Sequence, residues 1–200
     1  MVKYIHIEGM DLAGKSTASK AIFEMLGSDT MLRHNTIQSK SQFHSIVDKL
    51  RLSGNSNPQD LGILYHQVLK DDLERFIYPT QNTIQDSTVL LRSLAWYEAS
   101  QNFELVNLFL SLMPKHPVFT HSILLTASIE VRQKRLQMRI NEAPETVAND
   151  DMMVLENPEL FMAMEKALIK HSSRNFNSTI IDTSDLTKDE VKRIVIEMIF

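Results

Sequence analysis

Apolar residues recur along this chain in two alternating rhythms. Short runs rich in β-branched residues are followed by longer stretches in which apolar positions return every three or four residues. Val2 to Ile7 reads as a buried strand, Gly9 to Gly14 as a turn, and Lys15 onward as a helix with Ala18, Ala21, Ile22 and Met25 on one face. Thr30 to Ile37 reads as a second strand, and Ser53 to Pro58 as a loop by composition. Asp60 is a candidate cap for a helix whose stripe is Leu61, Leu64, Tyr65, Val68, Leu73 and Phe76, ending before Pro79. Asn82 to Asp86 is a candidate strand, with helices after it through Met113. Val118 to Ala127 reads as a strand, Ile129 to Asn141 as a helix, and a polar stretch runs to Asp151. A helix from Pro158 to His171 and a strand from Ser178 to Asp182 follow. Thr187 and Glu190 form a capping box for a last helix carrying Val191, Ile194, Val195, Met198 and Ile199. Strands alternating with helices predict an α/β protein with a parallel sheet covered on both faces, in a single domain over residues 1–200.

Composition narrows the chemistry. The 200 residues are 43% hydrophobic and 23% charged, with a formal net charge of -4, which argues against a nucleic-acid polymer or a membrane surface as partner. The chain has no cysteine, so disulfides, thiolate zinc sites and cysteine nucleophiles are excluded. The seven histidines show no metal-ligand spacing, and the eleven methionines read as core filler. The opening residues do not read as a signal peptide and no apolar run is long enough to span a bilayer, so a soluble cytoplasmic protein is expected.

One motif carries specific chemistry. Gly9-Met10-Asp11-Leu12-Ala13-Gly14-Lys15-Ser16 fits G-x-x-x-x-G-K-[ST], between a strand and a helix. The glycines let successive N–H groups face one anion, and the helix that follows adds its partial positive end. Lys15 supplies a full charge to the β- and γ-phosphates, and the Ser16 hydroxyl suits Mg²⁺. Gly9, Ala13, Gly14, Lys15, Ser16 and Thr17 are therefore candidate ATP contacts. The Asn-Lys-x-Asp signature of guanine-specific GTPases is absent, and the short chain with an N-terminal loop of this kind points to a small-molecule kinase.

Four segments together resemble the thymidylate kinase family of nucleoside monophosphate kinases. They are IHIEGMDLAGKST, the run Leu61 to Asp86, the stretch LLTASIEVRQKRLQMR with Glu130, Val131, Arg135 and Arg139, and STIIDTS before the last helix. The resemblance implies a P-loop kinase fold, a three-layer α/β/α sandwich whose five-stranded parallel sheet runs in the order 2-3-1-4-5. It also implies a lid after Arg139, at about 140–153, a phosphate acceptor facing ATP, and a homodimer. The family's Asp-Arg-Tyr is here Asp86-Ser87-Thr88, its Arg-Glu-Pro-Gly after strand two is missing, and its helix-three arginine falls on Leu69, next to Lys70. The donor half of the pattern is present and the acceptor-phosphate half departs from it.

The remaining candidates follow. Asp86, at a strand end, is expected to hold Mg²⁺ through water or to orient the attacking oxygen, with helix capping as the rival role. Asp11 is expected to face the acceptor, where the resemblance suggests a bond to a sugar hydroxyl. Arg132, Arg135 and Arg139 share one helix face, where like charges repel unless an anion lies opposite; the alignment puts Arg135 and Arg139 in a phosphate cage. Tyr65 falls where the family stacks the acceptor base, with core packing as the rival, and Trp96 and Tyr97 are further aromatic candidates. Lys70 is a candidate acceptor-phosphate contact. Arg92, one turn into the helix after Asp86, can reach back to replace the missing arginine. Glu8 reads as structural, with a general-base role as the rival. The lid segment carries Glu142, Glu145, Asp150 and Asp151 but no lysine or arginine. The function expected is MgATP-dependent phosphoryl transfer to a nucleoside monophosphate or related (deoxy)nucleotide. The alternatives are a kinase of an unphosphorylated alcohol, such as a deoxynucleoside or specialised metabolite, and a nucleotide-binding module without turnover.

Overall fold

Strand β1 (Tyr4–Glu8) is buried along its whole length and forms the middle of the sheet. A strand covered on both faces has no solvent side to mark with polar residues, yet its two faces differ here. Ile5 and Ile7 join the apolar cluster beneath helices α1 (Lys15–Leu26) and α9 (Lys188–Ile199). Tyr4, His6 and Glu8 alternate with them and are equally buried. In this computed structural model, which describes residues 2–38, 42–54 and 56–200, β1 pairs in parallel with β3 (Thr83–Asp86) and β4 (His121–Thr126). Outside them lie β2 (Met31–His34) and β5 (Thr179–Asp182). The order β2-β3-β1-β4-β5 is the one expected.

The opposite face is covered by α4 (Val89–Ala99) packed along α8 (Pro158–Phe176). Leu91 and Ala95 of α4, Leu124 of β4, and Phe161, Met164 and Leu168 of α8 form one apolar cluster. A third cluster joins α4 to Leu69 of α3 (Pro58–Glu74) and to Leu105, Val106 and Phe109 of α5 (Phe103–Leu110). Helices α2 (Gln42–Leu52), α6 (Ile129–Glu142) and the short α7 (Met153–Glu156) complete the set, the last two enclosing the segment expected to be a lid.

Several boundaries differ from expectation for local reasons. Helix α3 is capped by Asn57, whose side chain accepts from Gln59 N–H, with Pro58 at the first turn; Asp60 lies inside that turn. Residue 55 of the expected loop over 53–58 lies outside the described residues. Met25 is 53% exposed, and Leu26 rather than Met25 continues the apolar face of α1 after Ile22. Helix α8 runs one turn past His171 to a left-handed Asn177, because Phe176 still has core to cover. The polar stretch before Asp151 contains two 3₁₀ turns, Pro144–Thr146 and Asn149–Met152, and α7 follows it without an apolar period to announce it. Thr187 and Glu190 form the capping box expected at α9.

Candidate active site

The loop between β1 and α1 is shaped by two close requirements. A Cβ on Gly9 would sit 2.4 Å from the Leu125 carbonyl oxygen, so only glycine lets the loop lie against β4. Gly14 caps α1 with a left-handed backbone at φ 100°. Between them Lys15 folds back over the loop. Its Nζ donates to the carbonyls of Gly9 (2.7 Å) and Met10 (3.1 Å) and to Asp11 Oδ1 (3.3 Å). Ser16 is exposed at the N-terminus of α1, and Thr17 is half-buried beside it.

The loop is braced from three sides. Glu8 is fully buried, and its two carboxylate oxygens accept from Gly9 N–H and Thr88 N–H, both at 3.1 Å. Burial would raise this carboxyl, but His6, Arg92 and Lys15 hold it below the usual range. His6 Nε2 lies 3.7 Å away, beyond hydrogen-bond reach, so its contribution is electrostatic. With both oxygens engaged, Glu8 ties the loop to the start of α4, which is the structural role expected of it. From α4, Arg92 Nη1 donates to the Gly9 carbonyl (3.1 Å) while Nη2 reaches both Asp11 oxygens (3.3 and 3.4 Å). Burial pushes the Asp11 carboxyl up, yet Arg92 and Lys15 override it and hold Asp11 at about 2. From α6, Arg132 donates to the Asp11 carbonyl and Arg135 Nη1 to the Leu12 carbonyl (2.9 Å).

Arg132 and Arg135 of α6 therefore both bind backbone carbonyls of the loop. Arg132 is the most thoroughly buried cation of the site: it is 0% exposed, donates to Ala127 O at 2.8 Å, pairs with Glu165, and its guanidinium lies 5.1 Å from the Phe161 ring. Two of its partners, Glu165 of α8 and the Asp11 carbonyl, lie far away in sequence, so no local spacing announces those contacts. Arg135 also binds the Thr183 hydroxyl (3.0 Å) and carbonyl (2.6 Å), so it clamps the loop to the chain after β5. Arg139 is paired with Asp151 at 2.9 Å. Together these contacts turn the arginine face of α6 toward loop carbonyls and Asp151.

Asp86 stands at the end of β3 with its carboxylate 15% exposed and 3.6 Å from His34 Nδ1. Burial raises its pKa, against Lys15 and His34. Thr88 caps α4 by accepting from Leu91 N–H, so Asp86 is not needed as the cap. Ser87, in place of the family's arginine, holds a left-handed backbone at φ 61°. Ser16 and Asp86 are hard oxygen donors of the kind Mg²⁺ takes alongside phosphate oxygens and water. Among the described residues no three or more His, Asp or Glu side chains converge as a metal cage.

Beside the loop lies a cavity of about 320 Å³. Asp11 and Arg92 form its inner wall, Tyr65, Trp96 and Tyr97 give it aromatic sides, and Met153 lines it from the lid side. Arg51 of α2, also in its lining, is held between Asp48 (3.1 Å) and Asp150 (3.0 Å). Tyr65 also donates to Asp48, at 3.0 Å. Asp11, Tyr65 and Arg92 thus come together, with Asp150 joining them from the segment expected to be a lid. Lys70 does not join them; it is exposed on α3, and Leu69 beside it is core. Arg51 was not anticipated, because its partners lie on the same helix and in a segment 99 residues away.

No protein-family model and no curated protein matches the sequence. Solved structures do match its shape. A thymidylate kinase from Candida albicans is similar over 99% of this chain and 91% of its own, with 18% identity and a TM-score of 0.68. This is the thymidylate kinase fold. A thymidylate kinase from Ehrlichia chaffeensis aligns over 98% of this chain and 97% of its own (15% identity, TM-score 0.65). A deoxyadenosine kinase from M. mycoides with bound dATP aligns over 98% and 99% (18% identity, TM-score 0.61). The resemblance seen in the sequence therefore extends to the whole fold and the strand order. Among the described residues, no helix is long and apolar enough to cross a membrane.

Proposed function

We propose that the protein is a kinase that transfers the γ-phosphoryl of MgATP to a small acceptor of the nucleoside or nucleotide class. The observation that carries this reading is the junction of a phosphate loop and an aromatic-walled cavity through shared residues. Asp11 belongs to the loop and lines the cavity, and Arg92 binds the loop carbonyl of Gly9 and lines the cavity. A donor phosphate on the loop and an acceptor in the cavity would meet at that pair. Such transfer depends on position and charge more than on covalent chemistry. Lys15, now satisfied by loop carbonyls and Asp11, exchanges those partners for phosphate oxygens. Gly9, Ala13, Gly14, Ser16 and Thr17 shape the N–H cradle at the start of α1. Ser16 and Asp86 would hold Mg²⁺, which would neutralise charge developing on the transferring phosphoryl group. Glu8, Arg132 and Arg135 fix the loop from behind, and Tyr65, Trp96 and Tyr97 offer flat surfaces to a planar base. The lid segment at 140–153 excludes water, which otherwise competes as acceptor.

ADP formation with MgATP and a panel of deoxynucleosides and their 5′-monophosphates tests the reading. We expect at least one acceptor to stimulate ADP release. Lys15→Ala should remain folded and lose at least roughly 10²-fold in kcat, as expected for one preorganised charge. Tight ATP binding that no acceptor converts to turnover would favour a nucleotide-binding module instead.

A further inference from the structure

The charges of the acceptor cavity carry a conclusion about what it accepts. Among the described residues the lining cations are Arg51 and Arg92, and each is already engaged by a carboxylate of the protein. Arg92 holds both oxygens of Asp11. Arg51 donates Nε to Asp48 and Nη1 to Asp150. Burial drives the His44 imidazole toward its neutral form, so three carboxylates against two guanidiniums leave the lining with one net negative charge. The position aligned with the family's helix-three arginine is core Leu69, Lys70 beside it points elsewhere, and Ser87 stands where the family's other arginine would be. A phosphate monoester entering here would have to displace Asp150 from Arg51 while still facing Asp48 and Asp11. A neutral molecule with a flat ring and hydroxyl groups meets no such opposition: Tyr65, Trp96 and Tyr97 suit the ring, and the carboxylates accept hydrogen bonds from hydroxyls.

Building on the kinase reading above, we infer that the cavity selects an unphosphorylated, hydroxyl-bearing nucleoside-type acceptor, and that Asp150 and Asp48 enforce this choice by occupying Arg51. In the step so defined, the acceptor hydroxyl oxygen forms a bond to the γ-phosphorus. The bond from that phosphorus to the β,γ-bridging oxygen breaks, and ADP leaves with the electron pair. The hydroxyl proton passes to an oxygen of the transferred phosphoryl group and from there to water, because both Glu8 oxygens are taken by backbone N–H groups and Asp11 is held by two cations. The Arg51–Asp150 pair is itself half-exposed (37% and 46%), so it adds little to stability. Its effect lies in selection.

The test measures kcat/KM for each of the four common deoxynucleosides and its own 5′-monophosphate, in the full-length protein and in Asp150→Asn and Asp48→Asn. A ratio taken within one preparation cancels any loss of folded protein. The wild type should prefer a deoxynucleoside over its monophosphate by roughly tenfold or more, the scale of one charge-assisted hydrogen bond. Asp150→Asn should shift that ratio toward the monophosphate by a comparable factor, through Arg51 released to bind phosphate. A wild-type preference for monophosphates leaves the kinase reading standing and overturns this one. A preference for nucleosides that neither variant moves overturns the assignment to Asp150 and Asp48. If no acceptor of either kind stimulates ADP formation, both readings fall.

Discussion

Arg132→Met should be among the most damaging single changes to this protein, although Arg132 reaches no solvent. The guanidinium is fully buried and makes three separate bonds, to Ala127 O, Asp11 O and the Glu165 carboxylate. Burial lowers the pKa of Arg132 and raises that of Glu165, each pulled back only in part by the other. The pair therefore costs more in desolvation than its mutual attraction returns, and breaking it strands a carboxylate whose side chain is only 16% exposed. Losing one partner of such a pair costs about 3–5 kcal/mol. At roughly 2–4 °C per kcal/mol for a chain of this size, the melting midpoint should fall by about 6–20 °C. Restoring the balance should restore stability: Arg132→Met with Glu165→Leu removes both charges and packs apolar groups against Phe161, so the double variant should recover more than half of the loss. Urea unfolding of wild type, both singles and the double variant closes the cycle. The same change frees the Asp11 carbonyl, so MgATP affinity should drop in both Arg132 variants even where stability returns. A loss below about 1 kcal/mol for the single variant, or a double variant no more stable than the single, would refute the brace.

Two further outcomes follow from the same contacts. Arg92→Lys keeps a charge but cannot span Gly9 O and both Asp11 oxygens, so kcat/KM should fall by about 10²-fold while the loop loses on the order of 1 kcal/mol of support; near-normal kinetics would remove Arg92 from the site. Asp72, buried with its oxygens on the N–H groups of Ile37 and Gln38, has its pKa raised by burial from 3.8 to about 6. The folded state then binds the proton more tightly than the unfolded chain, so this contribution to stability is present below pH 3.8 and lost as pH rises through about 6. Relative to Asp72→Asn, the wild type should lose up to about 3 kcal/mol between roughly pH 4 and pH 7, and a flat difference over that range would contradict the assignment.

The donor half of this site was legible because its chemistry is local. Gly9, Gly14, Lys15 and Ser16 lie within eight residues, and their spacing itself expresses the backbone geometry and charge of the loop. Arg92 was legible for a similar reason: one helical turn and a capping Thr88 fix where its side chain can reach. The contacts of Arg135 and Arg139 with backbone carbonyls and Asp151 were less legible, since a helix face of like charges signals a nearby acceptor of hydrogen bonds without saying which one it is. The Arg132–Glu165 and Arg51–Asp150 contacts could not be read, because each joins segments that only the fold brings together. The parallel strand order, by contrast, follows from short buried strands alternating with amphipathic helices and a resemblance that spans the chain.

The most direct measurement is of the phosphoryl group itself. With γ-labelled ATP, Mg²⁺ and the panel of deoxynucleosides and their 5′-monophosphates, the label should appear on an acceptor as a new phosphate ester or anhydride, in equal amount to the ADP formed, and Lys15→Ala should lose roughly 10²-fold or more of that rate. Label released only as inorganic phosphate, or transfer that persists undiminished in Lys15→Ala, would contradict the account.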